Sequence, residues 1–423
     1  MTQVNVEALK NKPAKGTTDR HYPAVDGMRG FAAIVATGLH FILEDPTFSP
    51  LNRSLRYATG LGWTSVDMFF CISGFLITQI LLNTRSGSGY FKKFYIRRAL
   101  RIIPLYYVFI TFLFVILPIF GLHPAGEKQW TWPYFFTHTS NFLNWNNIGF
   151  GPKYSGHFWS LAFEEQFYLV WPILIYLCPS KVLAKLFPAL LCATVFLRWF
   201  LTDVTGGNGL SIISLPFARA DGLLLGSWIA FMVWKGWNVK LPSLTVQIVI
   251  LSFCAAFIGA FTFELFGVSY YTRFWGGADL AIWMLTLTSM DAMLLIYCIA
   301  PPNPIQKFFS NRVFRWFGKY SYGLYVLHYT IMWVLLANAD FLQLMKSIAS
   351  YSPSLESLVY MTILYGLSIV AALISWNVVE RPALKLKRFF SYDKPKSIKA
   401  EPTSVPIGQA QPIAVPALQE ATT

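Results

Sequence analysis

The ionisable residues inside apolar stretches are the ones whose chemistry needs a reason. Arg29 and His40 have ten residues between them in D-G-M-R-G-F-A-A-I-V-A-T-G-L-H, nearly all apolar or small. On a helix that spacing puts His40 about 16 Å deeper than Arg29. A hydrocarbon core is about 30 Å thick, so with Arg29 at one surface His40 lies near the middle. An imidazole at that depth is a candidate general base, and equally a helix-packing histidine hydrogen-bonded to a neighbouring span. Glu164 and Glu165 lie one to two turns into another apolar stretch, H-F-W-S-L-A-F-E-E-Q-F-Y-L-V-W-P. A His and a Glu at matched depth form a base and its orienter, the arrangement for activating a hydroxyl. The same pair also reads as an interhelical hydrogen bond with no chemistry. Asp67 is a further carboxylate, just inside the end of S-V-D-M-F-F-C-I-S-G-F-L-I-T. In F-K-K-F-Y-I-R-R-A-L-R-I-I-P, Arg98 and Arg101 fall at i and i+3 on one helical face. Guanidinium groups fork onto phosphate oxygens, but basic residues also anchor the feet of spans; spacing does not separate the two readings.

These residues must be held by apolar helices. The chain is 55% hydrophobic and only 13% charged. Soluble domains carry about 25% charged residues, so this composition belongs in a bilayer. Stretches of spanning length fall at Met28–Leu43, Ser65–Leu82, Ile102–Gly121, Phe158–Leu177, Val182–Leu201, Ser214–Trp234, Leu244–Phe263, Ala278–Ala300, Tyr320–Leu336 and Leu358–Val378. The expected fold is all-α: a polytopic transmembrane helical bundle of about ten spans. With the N-terminus inside, the inner loops hold fourteen Lys/Arg and the outer loops six. The positive-inside rule then puts both termini in the cytoplasm, Arg29 at the inner face and His40 and Glu164 in the outer half. The expected layout is a cytoplasmic tail over 1–22, a membrane domain over 23–388, and a disordered Pro/Ala/Thr/Gln-rich cytoplasmic tail over 389–423. No secretory signal is evident in residues 1–20, so the first span is expected to direct insertion.

Composition also excludes. The net charge of +14 lies in the loops between apolar segments, a topology signal; no nucleic-acid partner is expected. The five cysteines form no C-x-x-C pair. No P-loop and no G-x-S-x-G elbow occurs. His123, His138 and His157 share an aromatic outer loop but lack the spacing of a helical metal pair, so no metal site is expected. That loop's Trp130, Trp132 and Trp145 suit a membrane interface, and more weakly a stack against sugar rings.

Taken together these motifs resemble the acyltransferase-3 family of integral membrane acyltransferases. The resemblance rests on Arg29-x10-His40, on V-D-M-F-F-C-I-S-G-F-L-I (Val66–Ile77) and on Arg98-x-x-Arg101. It also rests on Ser160-Leu161-x-x-Glu164-x-x-Phe167-Tyr168, Y-S-Y-G-L-Y-V-L-H (Tyr320–His328) and V-E-R-P (Val379–Pro382). It covers about Tyr22 to Lys387. It implies transfer of an acyl group, usually acetyl, from cytoplasmic acyl-CoA to a hydroxyl of an extracytoplasmic carbohydrate. Typical acceptors are lipopolysaccharide, exopolysaccharide, peptidoglycan or lipo-oligosaccharide.

On that resemblance His40 is the expected base and Glu164 its assistant. Arg98 and Arg101 would hold the CoA phosphates, and Arg29 would help bind CoA or close the inner mouth. Asp67, Ser73, Ser160 and Tyr168 are expected supporting residues; Ser73, Asn141 and Tyr168 are the oxyanion candidates, and Cys71 the candidate carrier in a covalent relay. Acyl-CoA would be a co-substrate, with no tightly bound cofactor. The partners would be membrane lipid and a carbohydrate acceptor, and the place a bacterial inner membrane. The rival class is a multi-span carrier of a small anion or sugar, but no two-fold repeat of the kind many carriers show is visible in the sequence.

Overall fold

The computed structural model describes residues 21–43, 64–121, 126–146, 148–149, 151–204, 209–239, 241 and 277–392. Every regular element among the described residues is helical. The principal helices are α1 (Pro23–Leu43), α2 (Ser65–Thr84), α3 (Tyr90–Thr111), α4 (Phe158–Leu177), α5 (Ser180–Trp199), α6 (Asp221–Trp234), α7 (Gly277–Ile299), α8 (Arg312–Leu336), α9 (Ala339–Tyr351) and α10 (Pro353–Ser375). Five helical stretches are long and apolar enough to cross a membrane, six if the bent pair α8–α9 counts as one. The expected span Leu244–Phe263 lies outside the described residues.

Several boundaries differ from expectation for local reasons. Helix α3 begins at Tyr90, not Ile102, so Lys92, Lys93, Arg97, Arg98 and Arg101, expected in the inner loop before the span, lie in its first turns. Beyond α3 the helix widens to π geometry over Phe112–Ile116, just before Pro118. The same widening over Trp376–Glu380 precedes Pro382, which has no N–H to donate. The expected span from Ser214 is helical only from Asp221, after a 3-10 turn at Pro216–Ala218. Between α8 and α9 the axis turns by 79°; the Asn338 side chain caps Phe341 N–H at 2.8 Å and starts the new helix.

Glycines decide which helices touch most closely. A Cβ at Gly30 of α1 would lie 1.8 Å from the Phe314 carbonyl oxygen of α8, and one at Gly318 would lie 2.0 Å from that of Asp26. Across α2 and α6, a Cβ at Gly74 would lie 2.0 Å from the Leu223 oxygen, and one at Gly226 would lie 1.9 Å from that of Cys71. Small residues thus let two backbone pairs approach to a distance no larger side chain permits. The α1–α8 and α2–α6 pairs form the frame; α3 and α4 close it on one side.

Candidate active site

That frame surrounds a cavity of about 320 Å3. One broad face of α2 lines it with Val66, Phe69, Phe70, Ile72, Ser73, Leu76 and Ile80, residues linked by the three-and-four spacing of a helix. Helix α1 contributes Arg29; α3 contributes Arg98, Arg101 and Ile102; α4 contributes Ser160, Leu161 and Glu164; α8 contributes Ser321, Tyr322 and Tyr325. Lys387 enters from the 3-10 turn Leu386–Phe390.

The polar groups form two linked clusters. Arg98 lies with its guanidinium 4.0 Å from the centre of the Tyr168 ring, and its Nη2 donates to Ser73 Oγ at 3.4 Å. The Ser73 and Tyr168 hydroxyls are hydrogen-bonded to each other, and both contact the Glu164 carboxylate. Glu164 is thereby faced by two hydroxyls and by the charges of Arg98 and Arg29. Arg29 donates from Nη2 to Ser321 Oγ at 3.2 Å and lies 3.9 Å from Asp26. In the second cluster Ser160 meets the Tyr325 hydroxyl, which donates to the His157 carbonyl at 2.6 Å. The His157 ring lies against Tyr325, Tyr329 and His328. Nδ1 of His328 lies 3.0 and 2.9 Å from the carbonyls of Leu324 and Tyr325, which fixes the proton on Nδ1 and the lone pair on Nε2.

The structure gathers Arg29, Arg98, Arg101, Ser73, Ser160 and Glu164 around the cavity, with Tyr168 behind Ser73. Glu164 keeps company with the arginines rather than standing apart from them. The backbone of His40 lies in α1, eleven residues beyond Arg29, but its side chain is outside the described residues. Asp67 faces elsewhere: it is fully buried against Arg219. Asn141 bonds Gln166 and the Ser214 carbonyl, and Cys71 packs in an apolar cluster with Met28 and Phe75; neither lines the cavity. Among the described residues no group of three His, Cys, Asp or Glu is placed to hold a metal ion.

Three features were missed. Arg198 donates to Asp221 at 3.0 Å, and both side chains are fully buried. Glu380, released by the π turn, accepts from Ser375 at 2.9 Å and opposes the charge of Arg101. Lys387 faces the cavity. Arg198, Arg219 and Asp221 all carry a signal that is present in the sequence, an ionisable group within a spanning stretch. Lys387 carries none, being one of several basic residues after the last span.

The described residues of segment 126–157 are tied to α3 and α4. Tyr106 and Tyr107 donate to the carbonyls of Phe135 and Phe136, each at 2.8 Å. Gln166 donates to the carbonyl of His138 at 2.8 Å. The His138 ring stacks on Tyr106 at 4.3 Å, and burial pushes its imidazole down to about 4. Trp130, Trp132 and Trp145 remain exposed on this segment.

Comparison with known proteins gives this architecture a family. The chain is 32% identical over 337 residues to the peptidoglycan O-acetyltransferase OatA of Listeria monocytogenes, a match covering 74% of this chain and 50% of that protein. It is 29% identical over 339 residues to the putative peptidoglycan O-acetyltransferase YrhL of Bacillus subtilis, covering 74% of this chain and 49% of that protein. It is 27% identical over 406 residues to the O-acetyltransferase OatA of Staphylococcus aureus, covering 89% and 60%. The chain thus spans about half the length of the first two relatives. No solved structure matches it. The family model described as "Acyltransferase domain" matches residues 22–377, and the chain belongs to that family, acyltransferase-3.

Proposed function

We propose that the protein is an integral membrane O-acyltransferase that moves an acetyl group from cytoplasmic acetyl-CoA to a hydroxyl of a cell-surface carbohydrate. Peptidoglycan, the acceptor in the names of two relatives, is the acceptor class to try first. One observation carries the reading. A single cavity joins three arginines suited to phosphate (Arg29, Arg98, Arg101) with a carboxylate and hydroxyls suited to acyl transfer (Glu164, Ser73, Ser160).

In this reading His40 takes the proton from the acceptor hydroxyl, and the oxygen attacks the thioester carbonyl carbon. A C–O bond forms, the C–S bond breaks, and the thiolate leaves with the proton that His40 held. Glu164 assists by stabilising the imidazolium through its negative charge, itself fixed by Ser73 and Tyr168. Of the two hydroxyls only Ser73 lines the cavity, and it is the one that can turn to donate to the developing oxyanion while Tyr168 holds the carboxylate. Cys71 lies away from the cavity, which favours direct transfer over a covalent relay. We place both termini in the cytoplasm, with about ten crossings of a bacterial inner membrane.

The test is mass spectrometry of surface glycans from cells with and without the protein. Loss of acetyl-bearing species without it is expected, and the His40→Ala and Glu164→Ala chains should insert yet fail to restore them. Wild-type acetylation by His40→Ala would remove His40 as the base. Acetyl groups accumulating in vesicles that contain no acceptor would replace the transferase with a carrier.

A further inference from the structure

The cavity is lined by a cation to which the transferase reading gives no role. Lys387 lies ten residues beyond the matched stretch 22–377, yet it lines the same cavity as Arg29, Arg98 and Arg101. Its neighbours behave differently: Lys385 and Arg388 are exposed, as basic residues at the foot of a span usually are, while Lys387 is turned inward.

The turn that carries Lys387 is bonded to α3 through Arg97. Arg97 donates from Nη1 to the carbonyl of Lys387 at 3.1 Å and to that of Phe390 at 3.2 Å. Its guanidinium also lies 4.9 Å from the centre of the Tyr392 ring. The two donated bonds cap carbonyls at the end of the 3-10 turn. The 386–392 segment is thus a strap fastened across the first turns of α3. Arg97 fastens it, and the next residue, Arg98, faces the cavity.

The charges do not balance. Four cations line the cavity and only one carboxylate, Glu164. Asp26 stands beside Arg29 and Glu380 opposes Arg101, but Lys387 has no ion pair among the described residues. Between apolar walls such as Ile72, Leu76, Ile80 and Ile102, clustered like charges are costly unless a multivalent anion joins them. Guanidiniums supply planar forks and an ammonium a point charge, a mixed set that suits the several oxygens of a phosphate ester or diphosphate.

We propose that Lys387, positioned by the strap that Arg97 fastens, is a phosphate-binding residue for the acyl donor, which is clamped between α3 and the strap. This rests on the acyl-CoA reading above.

The test measures binding of coenzyme A to the full chain in detergent by calorimetry, with the melting temperature of each ligand-free variant recorded alongside. Affinity should follow the charge at position 387. Lys387→Arg should bind as the wild type does, Lys387→Gln about tenfold more weakly, and Lys387→Glu more weakly still. Ligand-free melting should be unchanged in Lys387→Arg and unchanged or higher in Lys387→Gln and Lys387→Glu, where the repulsion among the cations is relieved. Arg97→Gln should weaken binding in the wild-type background and add little in the Lys387→Gln background, since it acts by placing Lys387. Wild-type affinity in Lys387→Gln and Lys387→Glu overturns the proposal, and so does Lys387→Arg binding as weakly as Lys387→Gln. Failure of the wild-type chain itself to bind coenzyme A is a different result: it removes the donor reading and this proposal with it.

Discussion

Arg219 grips Asp67 with both arms of its guanidinium, Nε to Oδ1 at 3.0 Å and Nη2 to Oδ2 at 2.8 Å, and neither side chain reaches solvent. The pair ties the start of α2 to the turn before α6, and the same guanidinium lies 4.9 Å from the centre of the Trp159 ring. Trp159 precedes Ser160, so the pair braces the cavity wall without touching the cavity. Removing one partner strands a buried charge, which costs about 3–5 kcal/mol. Asp67→Ala and Arg219→Ala should each lower the melting temperature sharply in detergent. The double change Asp67→Leu with Arg219→Met should recover much of the loss, because no charge is then left alone.

The glycine contacts give a second stability test. Gly30→Ala puts a methyl group 1.8 Å from a backbone oxygen, which cannot rotate away. Helices α1 and α8 must separate, and overpacking of this kind costs about 1–3 kcal/mol or more. The expected result is poor recovery of monodisperse protein. Gly366→Ala is the control: nothing lies within 4 Å of the new carbon, so its melting temperature should equal or exceed the wild-type value.

Much of the site was legible because helical spacing is local. Arg98-x-x-Arg101 and Ser160-x-x-x-Glu164 each fall on one helical face whatever the tertiary fold, and each pair does line the cavity. The stripe from Val66 to Ile80 is readable for the same reason. What was not legible is partnership across the chain. Asp67 and Arg219 are 152 residues apart, and Arg219 reaches its partner from a turn rather than from the helix expected there. The turn that carries Lys387 is bonded to Arg97, 290 residues earlier. Glu164 is expected from the sequence to assist His40; its bonds to Ser73 and Tyr168 and the nearby charge of Arg98 tie it to the arginine cluster as well, which spacing along α4 does not show.

His138 makes stability depend on pH from outside the spans. Its ordinary pKa is about 6.5, and in the folded chain burial lowers it to about 4. Between those values the unfolded chain binds the proton and the folded chain does not. This contribution is therefore fully present above about 6.5 and is lost as pH falls toward 4. A melting series across that window should show the decline. His138→Asn tolerates the left-handed backbone at this position, where φ is 53°, and should flatten that part of the curve.

Arg98 tests whether the arginines bind the donor or merely anchor a helix. Its guanidinium does two things at once, lying over the Tyr168 ring and donating to Ser73. A lysine keeps the charge but loses the plane and the fork. If Arg98 only anchored α3 at a membrane surface, Arg98→Lys would change nothing, since either residue serves there. If it holds donor phosphate from this position, Arg98→Lys should raise the acetyl-CoA KM about tenfold, the size of one lost charge-assisted hydrogen bond. Tyr168→Phe separates the remaining role: it keeps the ring under Arg98 and removes the hydroxyl that contacts Glu164 and Ser73. That variant should therefore leave KM near the wild-type value and lower kcat. A change confined to KM would instead place Tyr168 with donor binding.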